Sequence, residues 1–239
     1  MPRTPTHPLA EHPLDHLRSI PGCSLRRHER TYLTTLMLES SLRLCANYVK
    51  GVTLDVGCGR RPYEKMFSDV TRYVGTDYLS DRSRPDVVSS ALDLPFRDQR
   101  FDTVISTEVL EHVPDPLRAL REMQRVLKPG GFLVLSTPMH WPRHEVPYDF
   151  FRYPYDGLLH LVKSSGLEVS RMFNRGRSYA FVGQVIQHVQ PIGARPVNWL
   201  VNSFFLWCDR HLKHDVITMG WTVVARKPES NSGMISGGS

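Results

Sequence analysis

No apolar run in this 239-residue sequence reaches the roughly 18–20 residues that a membrane-spanning helix needs, so no such span is expected. The four cysteines, Cys23, Cys45, Cys58 and Cys208, form no CxxC pair. Their scatter argues against a disulfide framework or a zinc ribbon, and the expected location is the reducing cytoplasm. The first residues, MPRTPTHPLAEHPLDHL, hold no continuous apolar stretch, and no secretory leader is expected there. Acidic residues are outnumbered 24 to 30, which leaves a formal net charge of +6. That surplus permits an anionic partner without selecting one. It comes without a basic arm or the arginine–aromatic run of an RNA-binding module, so nucleic acid is not an expected partner.

What is present is an alternation of short apolar runs with helical patterns. Residues 1–50 read as an irregular Pro- and His-rich segment followed by a helix over 25–49 that Gly51 ends. Strands are predicted at 52–57, 72–77, 86–90, 101–106, 132–136, 167–173 and 216–226. Their apolar residues run together rather than alternate, as in strands covered on both faces. Asp115-Pro116 starts a helix as an N-cap with proline in the first turn, and KPGG at 128–131 is expected to stop it. A further helix fits 154–165. Residues 178–208 read as an apolar helical insertion, with Val197, Leu200, Val201, Phe204, Phe205 and Cys208 on one face. This face suits a lid over a substrate, a membrane-resting surface or a homodimer interface through 197–208. The tail from 228 to 239 reads as disordered. A parallel sheet with crossover helices follows from the alternation.

Chemistry concentrates where the first strand ends. In LDVGCGRRP, Gly57 and Gly59 let the backbone turn sharply and come close to a ligand. Asp77, twenty residues after Gly57, stands at the end of the next strand, where a carboxylate accepts from both hydroxyls of a ribose. A nucleoside ligand is indicated. An NAD fingerprint calls for a third glycine, and Arg60, Arg61 and Pro62 stand there instead. S-adenosylmethionine has no pyrophosphate to cradle. The loop by itself leaves the two cofactors even.

The longer series LDVGCG (54–59), GTDY (75–78), ALDLPF (91–96), FDTVISTEVLEHVPDP (101–116) and LKPGGFLVLSTP (127–138) resembles the class I S-adenosylmethionine-dependent methyltransferases, specifically the methyltransferase type 11 group. The resemblance spans most of 51–227 and implies a Rossmann-like α/β fold. Its sheet is seven-stranded and mostly parallel, with an antiparallel last strand and helices on both faces. It implies an enzyme that moves a methyl group from S-adenosyl-L-methionine to oxygen or nitrogen of a small acceptor: a glycan, a lipid-linked molecule or a secondary metabolite. An NAD-dependent oxidoreductase and a non-catalytic cofactor-binding protein are the alternatives. The resemblance also implies that Asp55, Gly57 and Gly59 contact the methionine part. Asp77 then holds the ribose, Asp93 with the backbone of Leu94 recognises adenine, and Thr107 and Glu108 close the pocket. Arg61 stands where many members have a further glycine. Arg60 and Arg61 either reach the cofactor carboxylate or point into water.

The acceptor side is expected in HWPRHEVPYDFFRYP (140–154), which is rich in proline, histidine and aromatic residues. His144 is the candidate general base and Asp149 its orienting partner. Glu108, Glu111 and His112 suggest a metal, but Pro114 and Pro116 interrupt the helical spacing, and Pro142 does the same for His140 and His144. No metal site is therefore expected. Arg171, Arg175 and Arg177 at the sixth strand read either as solvated or as a site for an anionic acceptor.

Overall fold

The apolar runs pair side by side in the computed structural model, which describes residues 10–17, 19, 21–79, 81, 83–190 and 195–229. Eight strands form one sheet: β1 (Ala10–Glu11), β2 (Gly51–Val56), β3 (Val70–Asp77), β4 (Val87–Val88), β5 (Phe101–Thr107), β6 (Leu127–Pro138), β7 (Glu168–Asn174) and β8 (Gly220–Arg226). Their order is β1-β7-β8-β6-β5-β2-β3-β4. Every pair is parallel except those of β8, which runs antiparallel to β6 and β7. The order reverses at β2: β3 and β4 lie to one side of it, β5 and β6 to the other. In an open sheet the ligand crevice lies beyond the carboxyl ends of the strands at such a reversal.

Among the described residues there are five α-helices: α1 (Tyr32–Leu44), α2 (Pro116–Val126), α3 (Tyr155–Ser164), α4 (Ser178–Val189) and α5 (Arg195–Leu212). Leu120 and Met123 of α2 and Leu158 and Val162 of α3 fill one face against Val104, Leu133 and Val223. Leu38 and Leu42 of α1 fill the other, against Ile105, Val134 and Val224. The first half of α1 continues into a third cluster, where Leu33 and Leu36 meet Ala180 of α4 and Leu206 of α5. α2 begins as predicted: the Asp115 carboxylate accepts from the Arg118 amide at 3.0 Å, with Pro116 in the first turn. No helix among the described residues is long and apolar enough to cross a membrane.

Several local expectations differ. The sheet has an eighth strand, β1, within the segment read as irregular. It is two residues long and pairs with β7, where Arg171 Nε donates to Glu11 Oε1 at 2.9 Å. α1 starts at Tyr32 rather than 25, because α5 and α4 take the carbonyls a longer helix needs. Asn202 donates to the carbonyls of Arg27 and Glu29, Asn198 to His28 and Gln184 to Arg30. α2 ends at Val126, and KPGG is already strand, paired through Leu127 with Phe101. β8 begins only at Gly220, because Val216 and Ile217 donate instead to Ser178 Oγ. The expected disordered tail lies, from residue 230 on, outside the described residues.

The insertion divides into α4 and α5, and α5 turns a polar face inward. Asn198, Asn202 and Asp209 are buried, while Val197, Trp199, Leu200, Phe204 and Trp207 are exposed. α4 and α5 touch at Gly183, where a Cβ would stand 2.6 Å from Phe205 Cβ and 2.8 Å from Leu33 Cδ1. Gly183→Ala gains up to about 1 kcal/mol of helix propensity but forces the two helices apart, at about 1–3 kcal/mol. The expected outcome is a net loss of stability, read as a lower urea midpoint at unchanged slope.

Candidate functional site

β2 ends in a turn through Gly57 (φ +75°) and Gly59 (φ +50°), both in the left-handed region. A side chain at Gly57 would stand 2.2 Å from Val109, whereas one at Gly59 would meet no atom within 4 Å. Gly57 is thus demanded by packing, and Gly59 faces open space. The amides of Gly57 and Cys58 donate to the Thr76 carbonyl at 2.8 and 3.0 Å. The Gly59 amide donates to Asp77 Oδ2 at 2.9 Å, and the other Asp77 oxygen accepts from the Leu79 amide at 3.1 Å. Asp77 therefore braces the glycine turn from the neighbouring strand. Arg61 donates to the Arg84 carbonyl at 2.8 Å and pairs with Asp86 at 2.7 Å, so it clamps the loop to the segment before β4. Arg60 is exposed.

Asp55 is buried beneath this turn. Tyr73 donates its hydroxyl to Oδ2 at 2.6 Å, and Oδ1 has no partner among the described residues. Burial pushes its carboxyl up to about 7. Asp93 is exposed on the turn after β4. Leu94 is buried, and its backbone is already engaged: the amide donates to Glu122 at 3.0 Å and the carbonyl accepts from Arg125 at 2.9 Å. Of that expected pair, only the Asp93 carboxylate remains open to an adenine.

Thr107 closes β5, and Glu108 follows in the left-handed region at φ +54°. Such a conformation costs a side chain-bearing residue about 1–2 kcal/mol. Three contacts hold it. The Glu108 amide donates to the Ser136 carbonyl at 3.1 Å, Ser136 Oγ donates to Oε1 at 2.9 Å, and Arg175 pairs with Oε2 at 2.9 Å. Arg175 is 1% exposed, and it also donates to the Thr137 carbonyl at 3.2 Å. The guanidinium occupies the place of a side chain at Gly220, whose Cβ would stand 2.2 Å from it. Arg171 is held by Glu11 and Arg177 by Asp15 and Asp215. All three arginines are committed to internal acids, which removes the anionic-acceptor reading of this strand.

After β6 the chain forms the loop that carries the candidate base. Asp149 accepts from Arg152 at 2.6 and 2.9 Å and from the His144 backbone amide at 2.9 Å. Arg152 holds the Asp149 carboxyl far below the usual range. The His144 imidazole stays 3.6 Å from Asp149, outside hydrogen-bond reach. Asp149 thus fixes the loop backbone rather than orienting that ring. The ring lies edge-on to His112 at 4.6 Å between centroids. Glu111 is fully buried, and burial, then the nearby Glu108 charge, raise its carboxyl well above the usual range. Glu111, His112 and His144 each bring a potential ligand atom within 4.8 Å of the others. Helical spacing is interrupted here, but the loop folds back to bring the third group close.

A cavity of about 360 Å³ lies beside this loop. It is lined by Met139, His140, Trp141, Pro142 and Arg152, by Phe181, Gln184, Val185 and His188 of α4, and by Met219. His140 Nδ1 contacts the Thr218 carbonyl at 2.8 Å. A carbonyl only accepts, so Nδ1 carries the proton and Nε2 the lone pair. Sequence reasoning named this loop and the insertion but favoured His144. The pairing of His140 with Phe181 and of Trp141 with His188 of α4 had no local signal.

Asp55 gives a pH signature. Its folded pKa of about 7 exceeds the ordinary aspartate value of 3.8, so between these values the folded state holds more protons than the unfolded one. Its contribution to stability is lost as pH rises from about 4 to about 7. Without cofactor, the stability difference between Asp55→Asn and the unsubstituted chain should shift in favour of the variant across that window, in urea unfolding at stepped pH.

The methyltransferase domain profile of type 11 matches residues 54–135. A Mus musculus protein named probable tRNA methyltransferase 9B is 41% identical over 34% of this chain and 20% of its own length. A Mycolicibacterium smegmatis protein named probable S-adenosylmethionine-dependent methyltransferase is 33% identical over 53% of this chain and 51% of its own. The chain thus spans between a fifth and about half of the length of these curated relatives. A solved structure of an S-adenosylmethionine-dependent methyltransferase from Mesorhizobium loti shares the fold. Its TM-score is 0.51 at 19% identity, over 79% of this chain and 97% of that one. The profile covers the stretch from Leu54 in β2 to Leu135 in β6, around the point where strand order reverses. Residues 54–135 of this chain thus match a methyltransferase domain of the type 11 group.

Proposed function

We propose that this chain transfers a methyl group from S-adenosylmethionine to oxygen or nitrogen of a small, largely apolar acceptor seated in the cavity between the loop after β6 and α4. One observation carries the reading. The glycine turn after β2 and the cavity after β6 lie beyond the carboxyl ends of parallel strands of one sheet. A volume of about 360 Å³ suits a small molecule. Its aromatic and aliphatic walls, with His140, Gln184 and His188 among them, suit an apolar body bearing one or two polar groups.

The residues fit the cofactor. The open space at Gly59 leaves room for an amino acid tail, and the unpartnered Asp55 Oδ1 would take its ammonium group. Asp77 would accept from the ribose hydroxyls with lone pairs that Gly59 and Leu79 leave free. Asp93 would take the adenine, and Thr107 and Glu108 would close the pocket. Bound S-adenosylmethionine supplies a sulfonium methyl group: the acceptor lone pair forms the new bond while the C–S bond breaks and sulfur keeps its electrons. The protein's part is to hold the acceptor in line. His140, with its Nε2 lone pair in the cavity wall, is the group suited to take the acceptor's proton. His144 does not line this cavity, and the base role first read for it passes to His140.

The tRNA in the mouse relative's name is matched over a fifth of that protein, and it carries no acceptor assignment here. Asp77→Asn should weaken S-adenosylmethionine binding by roughly 10- to 150-fold, the worth of one hydrogen bond to a charged group, measured by calorimetry. Tight NAD binding with none of S-adenosylmethionine would sink the reading. Once an acceptor is found, His140→Gln should lower turnover by about 10²- to 10⁴-fold at unchanged cofactor affinity.

A further inference from the structure

Glu111 sits 0% exposed on the short turn Leu110–His112, and neither of its carboxylate oxygens has a hydrogen-bond partner among the described residues. A buried carboxylate without partners is one of the costlier arrangements a fold can hold. Two imidazoles stand beside it. His112 Nε2 is 3.8 Å from Glu111 Oε1. The Nδ1 of the same ring contacts the Tyr148 carbonyl at 2.6 Å, so Nδ1 carries the proton and Nε2 keeps its lone pair toward the carboxylate. The Nδ1 of His144 lies 3.2 Å from the Pro142 carbonyl and 3.5 Å from Arg152 Nη2; the shorter contact puts the proton on Nδ1 and leaves Nε2 with the lone pair. Histidines that ligate a metal usually give their other N–H to a carbonyl or a carboxylate, as both rings do here.

We propose that Glu111, His112 and His144 bind one divalent transition cation of the zinc class. One potential ligand atom from each lies within 4.8 Å of the others. Ligands about 2.0–2.2 Å from a shared ion stand roughly 3.3 Å apart in tetrahedral geometry, so small side-chain rotations close the set. Two imidazole nitrogens and one carboxylate oxygen favour zinc over magnesium or calcium, which take oxygen donors. The ion would offset the buried charge of Glu111. Glu145 stands at the exposed rim, its Oε2 3.8 Å from His112 Nε2, within reach of a remaining coordination position. The positive charge of Arg152, next to His144, is offset by its two contacts to Asp149.

Such an ion would tie the turn after β5 to the loop after β6. The two already meet where the amides of Phe150 and Phe151 donate to the Glu111 carbonyl at 2.9 and 3.2 Å. That loop also supplies Trp141, Pro142 and Arg152 to the cavity wall. The metal would therefore stiffen one wall of the cavity, and its binding does not depend on the methyl-transfer reading.

The test uses the full chain, free of any affinity tag and without S-adenosylmethionine. Zinc is titrated by calorimetry after chelator treatment, and cobalt absorption in the visible range reports the coordination. The expected result is one zinc per chain with a rise in melting temperature. Glu111→Gln and His144→Gln should each weaken binding at least as much as the 10- to 100-fold that losing a second-shell partner costs. His144 is partly exposed, so its variant remains informative if the Glu111 variant misfolds. Failure to bind one equivalent, or affinity unchanged in His144→Gln, overturns the proposal.

Discussion

The buried guanidinium of Arg175 is the constraint from which the geometry of this sheet edge follows. An uncompensated charge in a protein interior costs several kcal/mol, so everything around it must be in place at once. Glu108 must hold a left-handed backbone to bring its carboxylate into line. The Thr137 carbonyl must face inward from β6, and Gly220 must carry no side chain. One contact set thereby fixes the ends of β5, β6, β7 and β8 relative to one another. Those ends carry both the residue that follows the cofactor crevice and the start of the loop that walls the cavity. The strain at Glu108 is sustained because Ser136 and Arg175 over-determine its position.

A second polar set orients the helices on the far side of that cavity. Asn198, Asn202 and Asp209 of α5 are buried, while Trp199, Phe204 and Trp207 are exposed. Asp209 accepts from the amides of Arg177 and Ala180 and contacts His12 at 3.0 Å. Apolar surfaces tolerate many registers, but satisfied hydrogen bonds to particular carbonyls accept one. The register of α4 against the loop after β6, and so the shape of the cavity, rests on these bonds.

The strands β2, β3, β5 and β6 were legible because strands covered on both faces read as short apolar runs, and the start of α2 because Asp115-Pro116 is a local signal. Asp77 was legible as an acid at a strand end a fixed distance from the glycines. What could not be read was decided by partners far along the chain. β1 owes its existence to β7 and to Arg171, and the late start of α1 to amides on α4 and α5. Arg175 and Arg177 looked like surface charges because their acids come from other elements. His112 and His144 are 32 residues apart, and only the fold-back held by Asp149 and Arg152 brings their rings together. Periodicity within one segment carries no information about such meetings.

The place of β8 has a consequence for how the chain is made. Synthesis delivers residues 51–138 before β7 and β8, and these hold all five strands of the half-sheet β4-β3-β2-β5-β6. β7 and β1 cannot join that half by themselves, because β8 lies between β7 and β6. Until residues 220–226 have left the ribosome, the outer edge of β6 stays unpaired, and Ala10 and Glu11, made before the half-sheet, wait with β7. A nascent chain therefore carries an open strand edge for more than eighty residues of elongation, the condition under which chaperone binding is most needed.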